Sequence, residues 1–429
     1  LGPGVSNAVN VIVNAKQDRI PLICITGRID LKEEHSYSHQ IFDHQAIMRP
    51  ISKRSLLAVH GNVDIVIDKA IALALSEPQG PVHLDLPISV AQSEHPPALL
   101  QHRSAAKPSV PVNDVALKEA RNWLACAVRP LMIAGFEVLS RGAHRIVAEI
   151  CQRMCIPLIT TYKAKGVLSE DSPLSMGAAG LSPLVDQHLL TLVSEADTIL
   201  LAGYDPIEMR DSWRNPWNRT QRVIDIRTFD DVHYMHSANH YFVGDIGESL
   251  TLLTKDLKSN DSWDQNIPMK IRERVANSFS SDTTFNPISI VRTARENLPR
   301  DTVATVDSGA HRILLSQVWH CFEPHTLLQS TGLCTMGCAL PIATGYAISA
   351  PKRTVVAFVG DAGLEMVLGE LATLRDSKCP IIVIVFVDRA LALIELKQRN
   401  LGLANLSLIH ISEPTRRTPI SYAVFCLKK

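Results

Sequence analysis

The chain has 429 residues, of which 46% are hydrophobic and 20% are charged, and this composition is typical of a folded protein rather than a disordered one. Its 43 basic and 43 acidic side chains give a formal net charge of zero, which argues against a nucleic-acid partner. The sequence has no apolar run long enough for a membrane span, and its nine cysteines do not suggest a disulfide framework. We therefore expect a cytoplasmic protein built from several domains.

Alternating strands and helices are predicted in the first part of the chain. The apolar run at 22–26 predicts a strand, the spacing over 64–75 predicts a helix, and 82–86 predicts a second strand. Strands separated by helices are typical of a parallel α/β layer. We place a first domain at 1–100, and we interpret the proline-rich stretch at 94–112 as a linker.

A second alternating pattern predicts a central domain at 112–256. Its predicted strands are short apolar runs, at 130–134, 157–161, 198–202 and 223–226, and the intervening helices are predicted at 115–127, 143–155 and 186–195. Several of these strands end at Gly or Asp, where open α/β sheets place their binding crevices. The polar stretch 255–285 is interpreted as a second linker.

A third pattern predicts another α/β domain at 285–406. Strands are predicted at 302–306, 354–359 and 381–387, and helices at 288–297, 340–349 and 364–377. The predicted fold class is therefore α/β, with three consecutive doubly wound parallel-sheet domains. The last stretch, 407–429, lacks usable periodicity, and we interpret it as a non-native tail, with a genuine but unusual C-terminal tail as the alternative.

The strongest chemical signal lies in the third domain. An apolar strand ends at Gly360 and Asp361, a helix follows, and a second apolar strand ends at Asp388. Because adjacent parallel strands end at the same edge of a sheet, the two carboxylates are expected to share a crevice suited to Mg²⁺ and a diphosphate. The small residues Ala362 and Gly363 would let backbone N–H groups approach the phosphates. The alternative is that Asp361 is only a helix cap and Asp388 only a loop acid.

These residues resemble the thiamine-diphosphate-dependent enzymes of the acetolactate synthase and 2-oxoacid decarboxylase superfamily, whose signature is Gly-Asp-Gly, a helix and strand, and then Asn or Asp. Ala362 departs from the third glycine and fits only where φ is negative. Four further regions resemble family motifs in the family's order: 1–8 with Pro3 and Asn7, 80–87, 307–311 and 331–337. Each motif alone has an ordinary structural explanation, as a turn or a core residue, but their joint order favours the family.

The resemblance implies roles for particular residues. It assigns Mg²⁺ to Asp361, Asp388 and the backbone carbonyl of Ala390. It assigns cofactor binding to Pro3, Asn7, Gly309, His311, Cys334, Met336, Gly360, Ala362 and Gly363. Gln40 lies where the family has a glutamine that faces cofactor and substrate. The family's catalytic glutamate is expected before Leu1, so no glutamate here is assigned that role. On this basis we expect a fragment, truncated at both ends and inactive as it stands.

The implied activity is decarboxylation of a 2-oxoacid such as pyruvate and its ligation to a second carbonyl. The alternatives are a non-oxidative decarboxylase or lyase, and a non-catalytic cofactor-binding chain. The stretch 165–174 resembles an FAD-contacting segment, but 203–208 and Trp213 resemble the flavin-independent branch, so a flavin-free central domain is favoured over one with FAD. By resemblance, we expect a homodimer or homotetramer. His35, His39 and His44 are interpreted as solvated loop histidines rather than a metal site.

Overall fold

A computed structural model describes residues 1–34, 36–95, 109–112, 114–205, 209–231, 233, 235–258, 263–264, 266–280, 285–388 and 390–404, together with the backbone of 425–428. The chain divides into two compact units, which are described separately. The first comprises Leu1–Pro108 and Ser330–Cys334, and the second comprises Ser109–Gln329 and Thr335–Lys429. None of the helices in the described ranges is both long enough and apolar enough to cross a membrane.

The first unit contains a three-stranded parallel sheet in the order β1-β3-β2. Its strands are β1 (Leu22–Arg28), β2 (Arg54–Leu57) and β3 (Pro81–Pro87), and its helices are α1 (Gly2–Gln17), α2 (His44–Ile51), α3 (Val63–Leu75) and α4 (Ile88–Gln92). The segment at 1–8, interpreted as a turn, is instead mostly the start of α1. Pro3 is tolerated there because the first N–H groups of a helix have no partner within the helix.

The central sheet of the second unit has six parallel strands in the order β6-β5-β4-β7-β8-β9. The strands are β4 (Pro130–Ala134), β5 (Leu158–Thr161), β6 (Ser175–Ala179), β7 (Thr198–Ala202), β8 (Arg222–Arg227) and β9 (His240–Val243). The helices are α5 (Val115–Ala125), α6 (Phe136–Ser140), α7 (His144–Met154), α8 (Pro183–Glu195) and α9 (Ile246–Thr254). Apolar residues on both faces of the sheet are buried against these helices, which explains the continuous apolar runs of its strands.

The second unit also contains a parallel sheet in the order β11-β10-β12-β13-β14. The strands are β10 (Val303–Val306), β11 (Leu327–Gln329), β12 (Val355–Gly360), β13 (Ile382–Val387) and β14 (Phe425–Lys428). The remaining helices of the second unit are α10 (Asn266–Asn277), α11 (Pro287–Asn297), α12 (Ala310–Val318), α13 (Ala339–Ser349), α14 (Asp361–Met366), α15 (Glu370–Ser377) and α16 (Ala392–Asn400). Together the sheets confirm the predicted fold class of three parallel α/β layers.

Two predicted elements were wrong. The stretch 255–285, interpreted as a linker, contains α10, whose Ile271 is buried against the central sheet's core. The single helix predicted at 364–377 is two helices, because the chain leaves the helical path between α14 and α15, at Val367. The predicted linker at 94–112 and tail at 407–429 fall mostly outside the described residues.

Candidate functional site

The two predicted metal-binding carboxylates follow neighbouring strands of the third sheet. Gly360 of β12 pairs in register with Phe386 of β13, so Asp361 and Asp388 each stand just beyond a strand end at the same edge. Partial burial raises the pKa of Asp388, and the nearby negative charge of Asp361 raises it further. Two carboxylates placed so that their charges repel each other suit a divalent cation between them.

The loop after β13 brings the third predicted metal ligand next to these acids. The backbone N–H of Ala390 donates to Asp388 Oδ1 at 3.0 Å, which fixes the turn that contains both residues. Within the described parts of the chain, no group of three or more His, Cys, Asp and Glu side chains could hold a metal. A cation at Asp361 and Asp388 would therefore need further oxygen ligands from the backbone or from a bound phosphate.

His311 lies beside these strand ends with one ring nitrogen unused. Its imidazole stacks on Phe386, with 5.6 Å between ring centroids. Its Nε2 is buried and has no hydrogen-bond partner among the described residues. Burial lowers the pKa of His311 to about 4, so the ring is neutral near pH 7. An unpartnered buried nitrogen indicates a place where a ligand atom completes the hydrogen bonding.

Glycine is required next to His311. Gly309 has φ +152°, and a Cβ on it would lie 2.7 Å from His311 Cε1. The predicted phosphate-binding residues Gly309, His311 and Gly360 are thus brought together, since a Cβ on Gly360 would lie 3.3 Å from the same ring atom. Glycine backbone and an imidazole thus lie together at a strand end, and a diphosphate binds to hydrogen-bond donors of this kind.

Asp307, to which the sequence analysis assigned no role, organises the site. Its carboxylate is fully buried after β10 and accepts hydrogen bonds from the backbone N–H of Gly337 at 2.8 Å and of Cys338 at 3.0 Å. A Cβ on Gly363 would lie only 1.9 Å from Asp307 Oδ2. Asp307 therefore joins the helix after β12 to the loop before α13. Its place at the end of a predicted strand, at the head of motif 307–311, was the available signal.

The remaining predicted residues of the second unit fit this arrangement. Ala362 is buried within α14, where φ is negative, so the absence of the family's third glycine does not strain this turn. Met336 is half-buried in the loop held by Asp307, directly before Gly337. The structure thus brings Met336, Gly363 and Asp307 to the same part of the unit.

The predicted residues of the first unit are described by themselves. Pro3 and Asn7 are exposed on α1. Gln40 has φ +58°. Its backbone carbonyl oxygen contacts Gly2 so closely that a Cβ on Gly2 would lie 2.5 Å from it. Cys334 is exposed and has φ +52°. Gln40 therefore lies at the start of α1.

An acid that the sequence analysis missed anchors the segment around Cys334. Asp18 is 4% exposed, and its Oδ1 accepts from the backbone N–H of Thr331 at 3.2 Å and of Gly332 at 3.0 Å. These bonds hold 330–334 against the C-terminal end of α1. No local sequence signal could have identified them, because the partners are more than 300 positions apart.

The histidine prediction needs one correction. His39 is exposed, as expected, and His35 lies outside the described residues. His44, however, is buried at the start of α2, with Nδ1 2.9 Å from Asp85 Oδ1. Asp85 is held by register next to Thr26, so His44 belongs to a buried polar network rather than a solvated loop.

The crevice of the central sheet contains a buried acid. Glu137, at the start of α6, is 8% exposed, and its Oε2 accepts from Thr228 N at 3.0 Å and Thr228 Oγ1 at 2.9 Å. Trp213 is fully buried. Residues 206–208 of the stretch compared with flavin-independent enzymes lie outside the described residues. The negative charge of a carboxylate at this strand end would repel the diphosphate of a dinucleotide.

Comparison with known proteins places these features in a family context. Three family models match the chain: the N-terminal TPP binding domain of thiamine pyrophosphate enzymes at 1–47, their central domain at 117–253, and their C-terminal TPP binding domain at 307–421. The chain is 27% identical to the acetolactate synthase of Bacillus subtilis over 409 residues, covering 92% of this chain and 71% of that protein.

Two further relatives show a similar extent of match. The large subunit of Escherichia coli acetolactate synthase isozyme 1 is 27% identical over 406 residues, covering 92% of this chain and 71% of that protein. A Pseudomonas aeruginosa protein named as a probable 2-ketoarginine decarboxylase is 28% identical over 416 residues, covering 94% and 72%. The similarity therefore includes proteins named acetolactate synthase and a protein named for decarboxylation.

Proposed function

Because the chain belongs to the superfamily of thiamine-diphosphate-dependent enzymes that contains acetolactate synthases and 2-oxoacid decarboxylases, we propose that it carries out Mg²⁺-dependent decarboxylation of a 2-oxoacid with ligation to a second carbonyl compound. The observation that supports this most directly is the pair of acids beyond β12 and β13 beside a buried histidine with an unused nitrogen. A divalent cation and a phosphate together would satisfy both features.

In this proposal, the residues of the second unit hold the cofactor's charged end. Asp361, Asp388 and the carbonyl of Ala390 would bind Mg²⁺. Gly309, His311, Gly360, Ala362 and Gly363 would contact the diphosphate. The neutral His311 ring would donate one hydrogen bond without adding charge, and Asp307 keeps the surrounding backbone in place.

The organic end of the cofactor is assigned to the remaining predicted residues. Met336 and Cys334 would contact its rings, Pro3 and Asn7 would line the pyrimidine side, and Gln40 would face cofactor and substrate. When bound, thiamine diphosphate supplies carbanion stabilisation, and the protein supplies binding and orientation. An apolar side chain such as Met336 would also exclude water from the reacting carboxylate.

The proposed substrate is pyruvate or a similar 2-oxoacid, in keeping with the relatives named acetolactate synthase. A non-oxidative decarboxylase is the second candidate, because a relative named for 2-ketoarginine decarboxylation matches the chain over the same extent. Product analysis with pyruvate alone separates them, since a carboligase forms acetolactate and a decarboxylase forms acetaldehyde. Light scattering on the same sample tests the proposed homodimer or homotetramer.

We also propose that the central domain works without FAD. Glu137 is supported by two hydrogen bonds from Thr228 at the crevice where a flavin diphosphate would need positive or N–H groups. The expected result is a purified protein with no flavin absorbance and unchanged cofactor binding after added FAD. Saturable FAD binding would contradict this part of the proposal.

Titration calorimetry with thiamine diphosphate, with and without Mg²⁺, tests the cofactor site itself. We expect binding only with Mg²⁺, and a loss of at least about 100-fold in affinity for Asp361→Ala and Asp388→Ala, since each removes a charged ligand of the ion. Asp388→Asn should keep most of the affinity, because it retains an oxygen ligand.

The matched control is Asp376→Asn, since Asp376 is exposed on α15 and, among the described residues, pairs with its neighbour Arg375 alone, at 2.8 Å. It should bind like the unchanged chain. Mg²⁺-independent binding, or equal binding by Asp361→Ala, would refute the assignment of the metal ligands.

A further inference from the structure

A second candidate site lies in the second unit, apart from the acids at 361 and 388. A cavity of about 270 Å³ is bounded by β6 of the central sheet and by helices α10 and α12. None of the residues assigned to the cofactor lines it. Its walls therefore belong to a different binding surface.

The charged groups of this cavity are mainly basic. Lys165 is buried and lies 2.6 Å from Glu170, so that pair is close to neutral. Arg272 and Arg292 also line the cavity, and within the described residues neither guanidinium has a carboxylate partner. Among the described residues, these two cations therefore have no salt bridge.

Backbone carbonyls hold the two guanidinium groups in place. Arg272 donates to the carbonyl of Glu170 at 3.0 Å, and Arg292 donates to the carbonyl of Phe279 at 2.7 Å. These contacts use part of each group's five donors and leave its charge intact. Fixed cations with spare donors form bidentate hydrogen bonds with a carboxylate or phosphate.

The cavity also has an apolar wall, beside the polar Ser175, Gln317 and His320. Met176, Val275, Phe279 and Val318 contribute side chains from β6, α10, the segment after α10, and α12. The volume equals that of roughly nine waters at about 30 Å³ each, which is enough for a small organic molecule and too small for a dinucleotide. An inorganic ion alone would leave the apolar wall without a partner.

We propose that this cavity binds a small organic monoanion, with a carboxylate beside Arg272 and Arg292 and a short apolar chain against Val275 and Phe279. Its walls come from the central sheet with α10, which packs on it, and from α12 of the third sheet, so an occupant would contact both layers of the unit. Binding would stabilise this unit by mass action, independently of thiamine diphosphate.

The test uses the full chain without thiamine diphosphate or Mg²⁺, so that its outcome does not depend on the proposed catalytic function. Calorimetry and thermal melting are recorded with 4-methylpentanoate, with its neutral analogue 4-methylpentanamide, and with inorganic phosphate. We expect saturable binding of 4-methylpentanoate with a Kd of about 1 mM or tighter, a raised melting temperature, and at least about tenfold weaker binding of the amide.

Three variants locate the site. Arg272→Gln and Arg292→Gln each remove a cation and should weaken binding at least about tenfold. Ala276→Glu adds a carboxylate at an exposed position of α10 that lines the cavity, so it should abolish binding without disturbing the helix. Arg274→Gln is the control, since Arg274 is exposed on the same helix and does not line the cavity.

Several results would overturn the proposal. These are no saturable binding of 4-methylpentanoate, equal binding of the amide, binding of phosphate alone, and unchanged affinity in a folded Ala276→Glu variant. Circular dichroism of each variant establishes that it is folded, so a loss of affinity can be assigned to the cavity.

Discussion

Replacing Gly363 by alanine tests the role of Asp307 directly. The added Cβ would lie 1.9 Å from Asp307 Oδ2, far inside contact distance, in a region where Asp307 is fully buried. The carboxylate must move, and it is the acceptor for the N–H groups of Gly337 and Cys338. Each hydrogen bond to a charged group contributes about 1.5–3 kcal/mol, so losing both would cost roughly 3–6 kcal/mol.

The loss of stability is expected to be smaller if the Asp307 carboxylate shifts and keeps its hydrogen bonds with Gly337 and Cys338. Overpacking of this kind costs about 1–3 kcal/mol. In either case the cost is a substantial part of the roughly 5–15 kcal/mol by which domains are stable. We therefore expect Gly363→Ala to lower the urea midpoint of the second unit clearly, and to weaken thiamine diphosphate binding.

Gly369→Ala provides the matched control. Gly369 has φ −58° and ψ −26°, and a Cβ there would meet no atom of the described residues within 4 Å. Alanine at such a position is neutral or stabilises by about 0.4–1 kcal/mol. Urea unfolding followed by circular dichroism compares the two variants. Equal midpoints for Gly363→Ala and Gly369→Ala would refute the role assigned to Asp307.

Two further predictions concern the first unit. Burial lowers the pKa of His83, whose ring contacts Thr26 Oγ1 at 2.7 Å, so the unfolded chain takes up a proton below about pH 6.5 that the folded chain resists. The stability of the fold should therefore fall as the pH drops below that value. In thermal melts at pH 5–7.5, the melting temperature should change less with pH for His83→Gln than for the exposed control His39→Gln. An equal pH dependence in the two variants would exclude His83 as the cause. Asp18→Ala leaves two backbone N–H groups without their acceptor at about 1–3 kcal/mol each, so limited proteolysis should cut near 330–334 faster than in Glu33→Ala, and an unchanged rate would contradict that anchoring role.

The carboxyl ends of strands β12 and β13 could be predicted well from the sequence, because the apolar runs and the acids that follow them are local signals. Strands β12 and β13 consist of apolar residues and glycine, and each leads directly into an aspartate, so the position of Asp361 and Asp388 at the same edge of the sheet followed from parallel topology alone. The missed helix α10 had a weaker signal, because half of its residues are polar. Ile267, Ile271 and Val275 nevertheless repeat every four residues along it.

Long-range polar contacts could not be predicted in the same way. Asp307 accepts hydrogen bonds from backbone N–H groups 30 and 31 residues away. Since nearly every residue type has a backbone N–H, no sequence pattern identifies these partners. Asp18 is a similar case. The break after α14 depends on tertiary packing, since the apolar spacing through Val367 continues in the helical pattern.

The way Asp307 holds its loop bears on how this protein can change over time. Because the contacts of Asp307 run to the main-chain nitrogens of Gly337 and Cys338, exchanging the side chain of Met336 would leave these two hydrogen bonds in place. Variants at position 336 would therefore change the side chain that we propose to contact the cofactor and keep the hydrogen bonds of Asp307. Where the backbone carries the supporting hydrogen bonds, a change of side chain in the loop needs few compensating substitutions elsewhere. Substrate preference can then diverge without loss of the loop conformation.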